Sequence, residues 1–286
     1  MSGTAPAGRE PVKTSGSFAD LGPRMASAAV LVAAAVWTLS VGGDVFALFW
    51  TLAGFAINWE WQGLVGGERR LARVVLGGAA VAAAAAFART GLMGMAVFEL
   101  GLLAAAAGLL AGEGRRLWAF AGVVYAGAPV AAVCLLREIP GQGALAIAWL
   151  FAVVWGTDIF AYFGGRLIGG PKLWPRVSAG KTWSGTLTGL VLGALLGFGL
   201  VWVGGGARPG WAAIALGLVA SALSQIGDLA ESAFKRRFGV KDSSQLIPGH
   251  GGVMDRLDGF IFAAVFAALV GSARAAADPA AGLFLW

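Results

Sequence analysis

From residue 25 onward the chain alternates between long apolar stretches and short polar ones. The apolar runs predict nine helices, at about residues 25–42, 43–59, 72–88, 92–111, 117–136, 143–163, 183–204, 211–233 and 257–274. Several approach or exceed the ~18 residues that cross a bilayer core. Only the Gly42-Gly43-Asp44 break separates the first two. The runs hold no dyad alternation, so strands are not expected. The predicted fold class is all-α: a polytopic integral membrane protein of about nine transmembrane helices. Residues 1–23 are rich in Gly, Ser, Ala and Pro and lack apolar periodicity, which reads as a flexible tail. A signal peptide is not expected, because the apolar run after Arg24 is long and leads into further spans. The remaining divisions are N-terminal transmembrane helices over 24–142, a C-terminal transmembrane region over 143–274, and a short tail over 275–286.

Composition agrees with a membrane location. Hydrophobic residues make up 58% of the chain and charged residues 13%, with a mean hydropathy of +0.77. Soluble domains carry about 25% charged residues. The single cysteine, Cys134, sits in an apolar run, so neither a disulfide framework nor a cysteine metal site is available. The net charge of +6 could suggest nucleic acid, but the basic residues sit mostly in short loops between spans. Topology explains them better, and no nucleic-acid partner is expected. With a cytoplasmic N-terminus, the tail and the loops after even-numbered helices hold 17 of the 21 Lys and Arg residues. The other side receives only Arg89, Arg137, Arg208 and Arg274. This asymmetry predicts a cytoplasmic N-terminus. The same face then receives Glu60, Asp158, Asp228, Glu231, Asp255 and Asp258, while Asp44 and Glu99 stand outside that group. Short Ala- and Gly-rich loops fit a bacterial inner (plasma) membrane.

The densest polar segment is Ser232–Asp258, whose 27 residues carry 8 of the 36 charged side chains and the only histidine, His250. Asp228 and Ser232, four apart, share a face of helix eight and could offer oxygens to a hard cation such as Mg2+. Asp255 and Asp258 could add a second edge. The bland alternative is a structural ion pair between Asp228 and Lys235 or Arg236. Lys235, Arg236, Arg237 and Lys241 follow helix eight and suit a nucleoside triphosphate, although the positive-inside rule also predicts cations here. In Pro248-Gly249-His250-Gly251-Gly252, glycines would let backbone N–H groups approach phosphate oxygens. His250 could donate a hydrogen bond or act as an acid, or simply be solvated. Gly180-Lys181-Thr182 resembles part of a phosphate-binding P-loop, but position 175 is proline and no strand precedes it. A basic, hydroxyl-bearing loop on the same face remains.

These residues resemble the signature of phosphatidate cytidylyltransferases (CDP-diglyceride synthetases). The likeness runs from Ser232 through Lys235, Arg236 and Lys241-Asp242 to Pro248-Gly-His-Gly-Gly252 and Asp255-Arg256-Leu-Asp258. Ser178-Ala-Gly-Lys181-Thr182-Trp183 is similar to the family's Ser-Pro-x-Lys-Thr-Trp-Glu-Gly segment, with Ala179 in place of proline and Ser184 in place of an acid. Gly156-Thr-Asp158 with Ala161-Tyr162 is a third match, and the likeness covers about residues 145–272. It implies the reaction CTP + phosphatidate → CDP-diacylglycerol + pyrophosphate, with Mg2+ held by Asp228 and Asp255 and assisted by Ser232. A second, monovalent cation is compatible. The implied catalytic residues are Asp228, Asp255, Lys181, Lys235, Arg236 and His250, the last as a hydrogen-bond donor. The implied substrate-binding residues are Ser178, Lys181, Thr182, Lys235, Arg236, Lys241, Gly251, Gly252, Arg256 and Asp158. Partners would be CTP, phosphatidate and membrane lipid, with a homodimer left open.

Two other readings compete. A CTP-using polyprenol or phytol kinase would transfer the γ-phosphate. A transporter would bury its acids near mid-membrane, often with repeat symmetry. No convincing repeat is present, and the Asp-Gly-x-x-Ala-Arg run of CDP-alcohol phosphotransferases is absent.

Overall fold

The structure, a computed structural model, describes residues 21–204 and 210–284. Residues 1–20 of the expected tail, and Arg208, lie outside the described residues. The elements are α1 (Leu21–Val41), α2 (Gly43–Val65), α3 (Arg70–Arg89), α4 (Met93–Leu109), α5 (Arg116–Arg137), α6 (Gly143–Leu167), β1 (Lys172–Trp174), β2 (Ser178–Thr182), α7 (Trp183–Gly204), α8 (Trp211–Arg237), α9 (Met254–Arg274) and α10 (Pro279–Phe284). All nine expected helices are present. Six of them, α3 and α5 to α9, are long and apolar enough to span a membrane. Met25–Val41 and α4 are shorter apolar helices. α2 has the length, but Asn58, Glu60 and Gln62 near its end make it more polar.

One expected break and two differences from expectation have physical causes. Gly42 and Gly43 adopt φ of 70° and 53°, a left-handed backbone that separates α1 from α2. β1 and β2 pair antiparallel, Lys172 opposite Thr182 and Trp174 opposite Ser178. This hairpin lies in a polar loop, where the absence of alternation in the apolar runs has no bearing. The final stretch, expected as a tail, carries α10, whose residues are buried.

The helices pack through small residues. Gly185, Gly189, Gly193 and Gly197 recur every fourth position of α7 and face α6. A Cβ at Gly189 would stand 2.6 Å from the Thr157 carbonyl oxygen. Such close approach is how helices gain dispersion contacts in lipid. The buried Thr157 hydroxyl meets the Ser221 hydroxyl at 2.6 Å, tying α6 to α8. Opposite this ladder, α7 presents Leu187, Val191 and Leu195 outward as a lipid-facing side. Aromatic rings fill the centre. Trp50 stacks on Phe260 with centroids 4.8 Å apart, and Trp61 on Phe234 at 3.7 Å. At one end Arg89 joins Asp44 and Glu138, each at 2.6 Å. Glu60 lies about 24 Å further along α2, toward the opposite end.

Candidate active site

At that opposite end a polar cavity of about 670 Å³ opens between α6, the hairpin, α8 and α9. α6 contributes Asp158 and Arg166, the hairpin Lys172, Ser178, Lys181 and Thr182, α8 Asp228, Glu231 and Lys235, and α9 Asp255, Arg256 and Asp258. The volume falls within the ~300–1,000 Å³ of small-molecule sites.

The hairpin is placed by local bonds. Thr182 caps α7, its Oγ1 accepting from the Gly185 N–H at 3.1 Å. Ser184 donates its hydroxyl to the Gly169 carbonyl, closing the base of the loop. A carboxylate could not make that bond, so serine at this position has a structural role of its own. Lys181 is thereby carried to Asp228, with Nζ 2.5 Å from Oδ2. The other Asp228 oxygen accepts from the Ser232 hydroxyl at 3.3 Å. The sequence offered Lys235 or Arg236 as partners of Asp228, but the structure supplies Lys181.

Lys235 belongs to a second, more buried cluster. α8 runs to Arg237, further than the apolar pattern indicated, so Lys235 is helical and faces inward. Its Nζ lies 2.7 Å from Asp255 Oδ1 and 2.8 Å from Glu231 Oε2. Asp255 also accepts from the Ser243 N–H at 2.9 Å, the Ser243 hydroxyl at 3.0 Å and the Gly252 N–H at 2.7 Å. Behind it, Glu60 of α2 is almost fully buried. Glu60 accepts from the Val253 and Met254 N–H groups at 2.9 and 2.8 Å and from the Ser244 and Ser243 hydroxyls at 2.7 and 3.2 Å. Those N–H groups are orphan donors at the start of α9, where a negative charge is favourable. The 243–254 loop is thus fixed from both sides by carboxylates.

Of the expected residues, Asp158, Ser178, Lys181, Thr182, Asp228, Lys235, Asp255 and Arg256 share this cavity. Ser232 reaches it through Asp228. Arg236 is exposed and donates to the Val240 carbonyl at 2.8 Å, and Lys241 is exposed outside the lining. Gly252 gives its N–H to Asp255, and a Cβ there would collide with Ser243 and Glu60, so packing requires glycine. Gly251 pairs with Ile247 in an isolated bridge. His250 borders a different, apolar cavity, with Nδ1 2.8 Å from the Ser27 hydroxyl. Sequence reasoning missed the roles of Glu60, Ser243 and Ser244. The signal for Glu60 was an acid at the polar end of an apolar helix, a position that calls for a partner. Arg166 and Lys172 were counted only as loop charges, and both line the cavity.

The donor set bears on metal binding. Asp158 and Asp258 stand within electrostatic range of Asp228. Among the described residues, neither has a Lys or Arg at ion-pair distance. No three His, Cys, Asp or Glu side chains among the described residues lie close enough to cage an ion unaided. Such an arrangement fits Mg2+, which commonly takes one or two carboxylates and completes its shell with water and substrate phosphate oxygens.

Comparison with known proteins identifies the family. The cytidylyltransferase family profile matches residues 23–273. The chain belongs to the cytidylyltransferase family. It is 41% identical over 274 residues to a phosphatidate cytidylyltransferase of Brucella abortus, covering 93% of this chain and 99% of that one. It is 42% identical over 248 residues to a phosphatidate cytidylyltransferase of Pseudomonas aeruginosa, covering 81% and 89%. This family relationship spans both halves of the bundle, whereas in the first half the sequence offered only a set of spans and a Glu at the end of helix two. Glu60 on α2 therefore lies within the family region, like the α8 and α9 residues it supports.

Proposed function

We propose that the chain is a phosphatidate cytidylyltransferase, joining CTP to phosphatidate to give CDP-diacylglycerol and pyrophosphate. The observation that carries this reading is the gathering of Lys181, Asp228, Lys235, Arg256 and Asp158 in one polar cavity at the end of a membrane bundle. An oxygen of the lipid phosphate forms the new bond to the CTP α-phosphorus. The bond from that phosphorus to the α,β-bridging oxygen breaks, and pyrophosphate leaves. The attacking phosphate is already ionised, so no general base is required, consistent with His250 bordering the other cavity.

The chain's own task is to neutralise and align two anions. Lys181, Lys172, Arg166 and Arg256 face the cavity and serve that purpose. Lys235, clamped by Asp255 and Glu231, is a fixed cation whose charge is largely balanced, so its main effect is to set the α8–α9 geometry. Mg2+ fits at Asp228 with Asp158 and Asp258 nearby, and when bound would neutralise charge on the triphosphate. Asp255 could join it only by exchanging one of its present donors. The charge asymmetry of the loops supports placing this end at the cytoplasmic face of a bacterial inner membrane, where CTP is available.

The test is pyrophosphate release from CTP by the purified protein. Release should require both phosphatidate and Mg2+ and should stop with EDTA. Release without phosphatidate, or unaffected by EDTA, would overturn the reading.

A further inference from the structure

A second cavity, of about 480 Å³, lies beside the first between α1, α2, α6 and α9. Its walls are apolar, with Leu31, Trp50, Ala53, Phe151, Trp155 and Phe260 among them. Val32 and Leu52 border it and are themselves exposed, so it opens toward the lipid-facing surface. Its lining contains no carboxylate among the described residues, and its polar end holds His250 and Arg256. Arg256 also lines the polar cavity, and its side chain is exposed. α1 forms one wall and is tied to the 248–250 loop, Ser27 donating to the Pro248 carbonyl at 3.2 Å.

We propose that this apolar cavity holds an acyl chain of phosphatidate, with Arg256 gripping the lipid phosphate where the two cavities adjoin. The inference rests on the cytidylyltransferase reading and adds a location for the lipid. An amphiphile with one anionic phosphate needs an apolar slot open to the bilayer, a cation at its inner end, and continuity with the nucleotide site. Arg256 is the residue common to both cavities that supplies the second and third of these. Guanidinium suits the role because it pairs with phosphate through two parallel N–H bonds.

The test is photolabelling of the full chain in phosphatidylcholine nanodiscs by phosphatidate bearing a diazirine in mid-chain, mapped by mass spectrometry. Label should concentrate on the Ala28–Ala35 and Phe49–Ala56 segments and be competed by phosphatidate but not by added phosphatidylcholine. Arg256→Gln should weaken that labelling at least about tenfold, the loss expected when a charge-assisted pair is removed. Label on the outward faces of α4 and α7, or equal competition by both lipids, would overturn the proposal. As a second measurement, Ala53→Trp fills the slot and should raise the KM for dioleoyl phosphatidate while leaving the KM for CTP. Equal movement of both, or of neither, would count against the site. Labelling needs no turnover, so the two readings fail separately. A chain labelled as expected that transfers nothing keeps the lipid site and loses the enzymatic reading. A chain that transfers while labelled elsewhere does the reverse.

Discussion

Glu60 carries more of the site's architecture than its place in the sequence suggests. Four donors from the 243–254 region converge on its carboxylate, two of them backbone N–H groups that open α9. Glu60→Ala would leave buried donors unpaired, each costing about 1–3 kcal/mol. The expected result is a large fall in the thermal midpoint of the detergent-solubilised protein, with Glu60→Gln intermediate; an unchanged midpoint would contradict the clamp. Asp228 is different, being partly exposed and paired with Lys181. Asp228→Asn should lower turnover by roughly 10²–10³-fold, as loss of a charge-organising group does, while the thermal midpoint barely moves. Arg236→Ala and Lys241→Ala should change activity by less than about threefold, since both side chains lie outside the cavity, and substitutions on such surfaces are usually mild. A loss as large as that of Asp228→Asn would return them to the site.

Among the elements, the α6–α7 pair depends most on glycine. At Gly189 a single added methyl meets the Thr157 carbonyl at 2.6 Å, whereas a Cβ at Gly199 meets nothing within 4 Å. Gly189→Ala should therefore reduce the yield of monodisperse protein in size-exclusion chromatography, and Gly199→Ala should not. Equal behaviour of the two would argue against close packing along this seam. The helices themselves were legible, because a run of apolar residues long enough to cross a bilayer has few other solutions. The four-residue spacing that sets Gly189 in the packed row and leaves Gly199 outside it was also present in the sequence, but the helix it faces was not legible there. The hairpin escaped for a related reason: its bonds come from a short polar loop closed by Ser184 and Thr182, where periodicity says nothing. Motif spacing found Lys181, Asp228 and Asp255 but not their partners. The link from Lys181 to Asp228 crosses from the hairpin to α8, and the link from Glu60 to Met254 crosses from α2 to α9. His250 and Lys241 show the converse, since a residue inside a signature segment can sit away from the cavity.

For the molecule as a whole, one end carries the Arg89–Asp44–Glu138 group and the other the polar cavity, which is the polarity an enzyme joining a soluble nucleotide to a membrane lipid requires. With Cys134 replaced by Ala, a cysteine at Lys241 should react with a membrane-impermeant maleimide only in inside-out vesicles, and one at Gly141 only in right-side-out vesicles. The opposite pattern would reverse the proposed orientation. The central claim is that this cavity transfers the cytidylyl group itself. The most direct measurement gives the purified protein phosphatidate, Mg2+ and CTP labelled at either the α- or the γ-phosphorus, then counts the lipid phase. The α label should enter the lipid, and Asp228→Asn should slow its entry by roughly 10²–10³-fold. Entry of the γ label, or an α label that stays in water, would contradict the account.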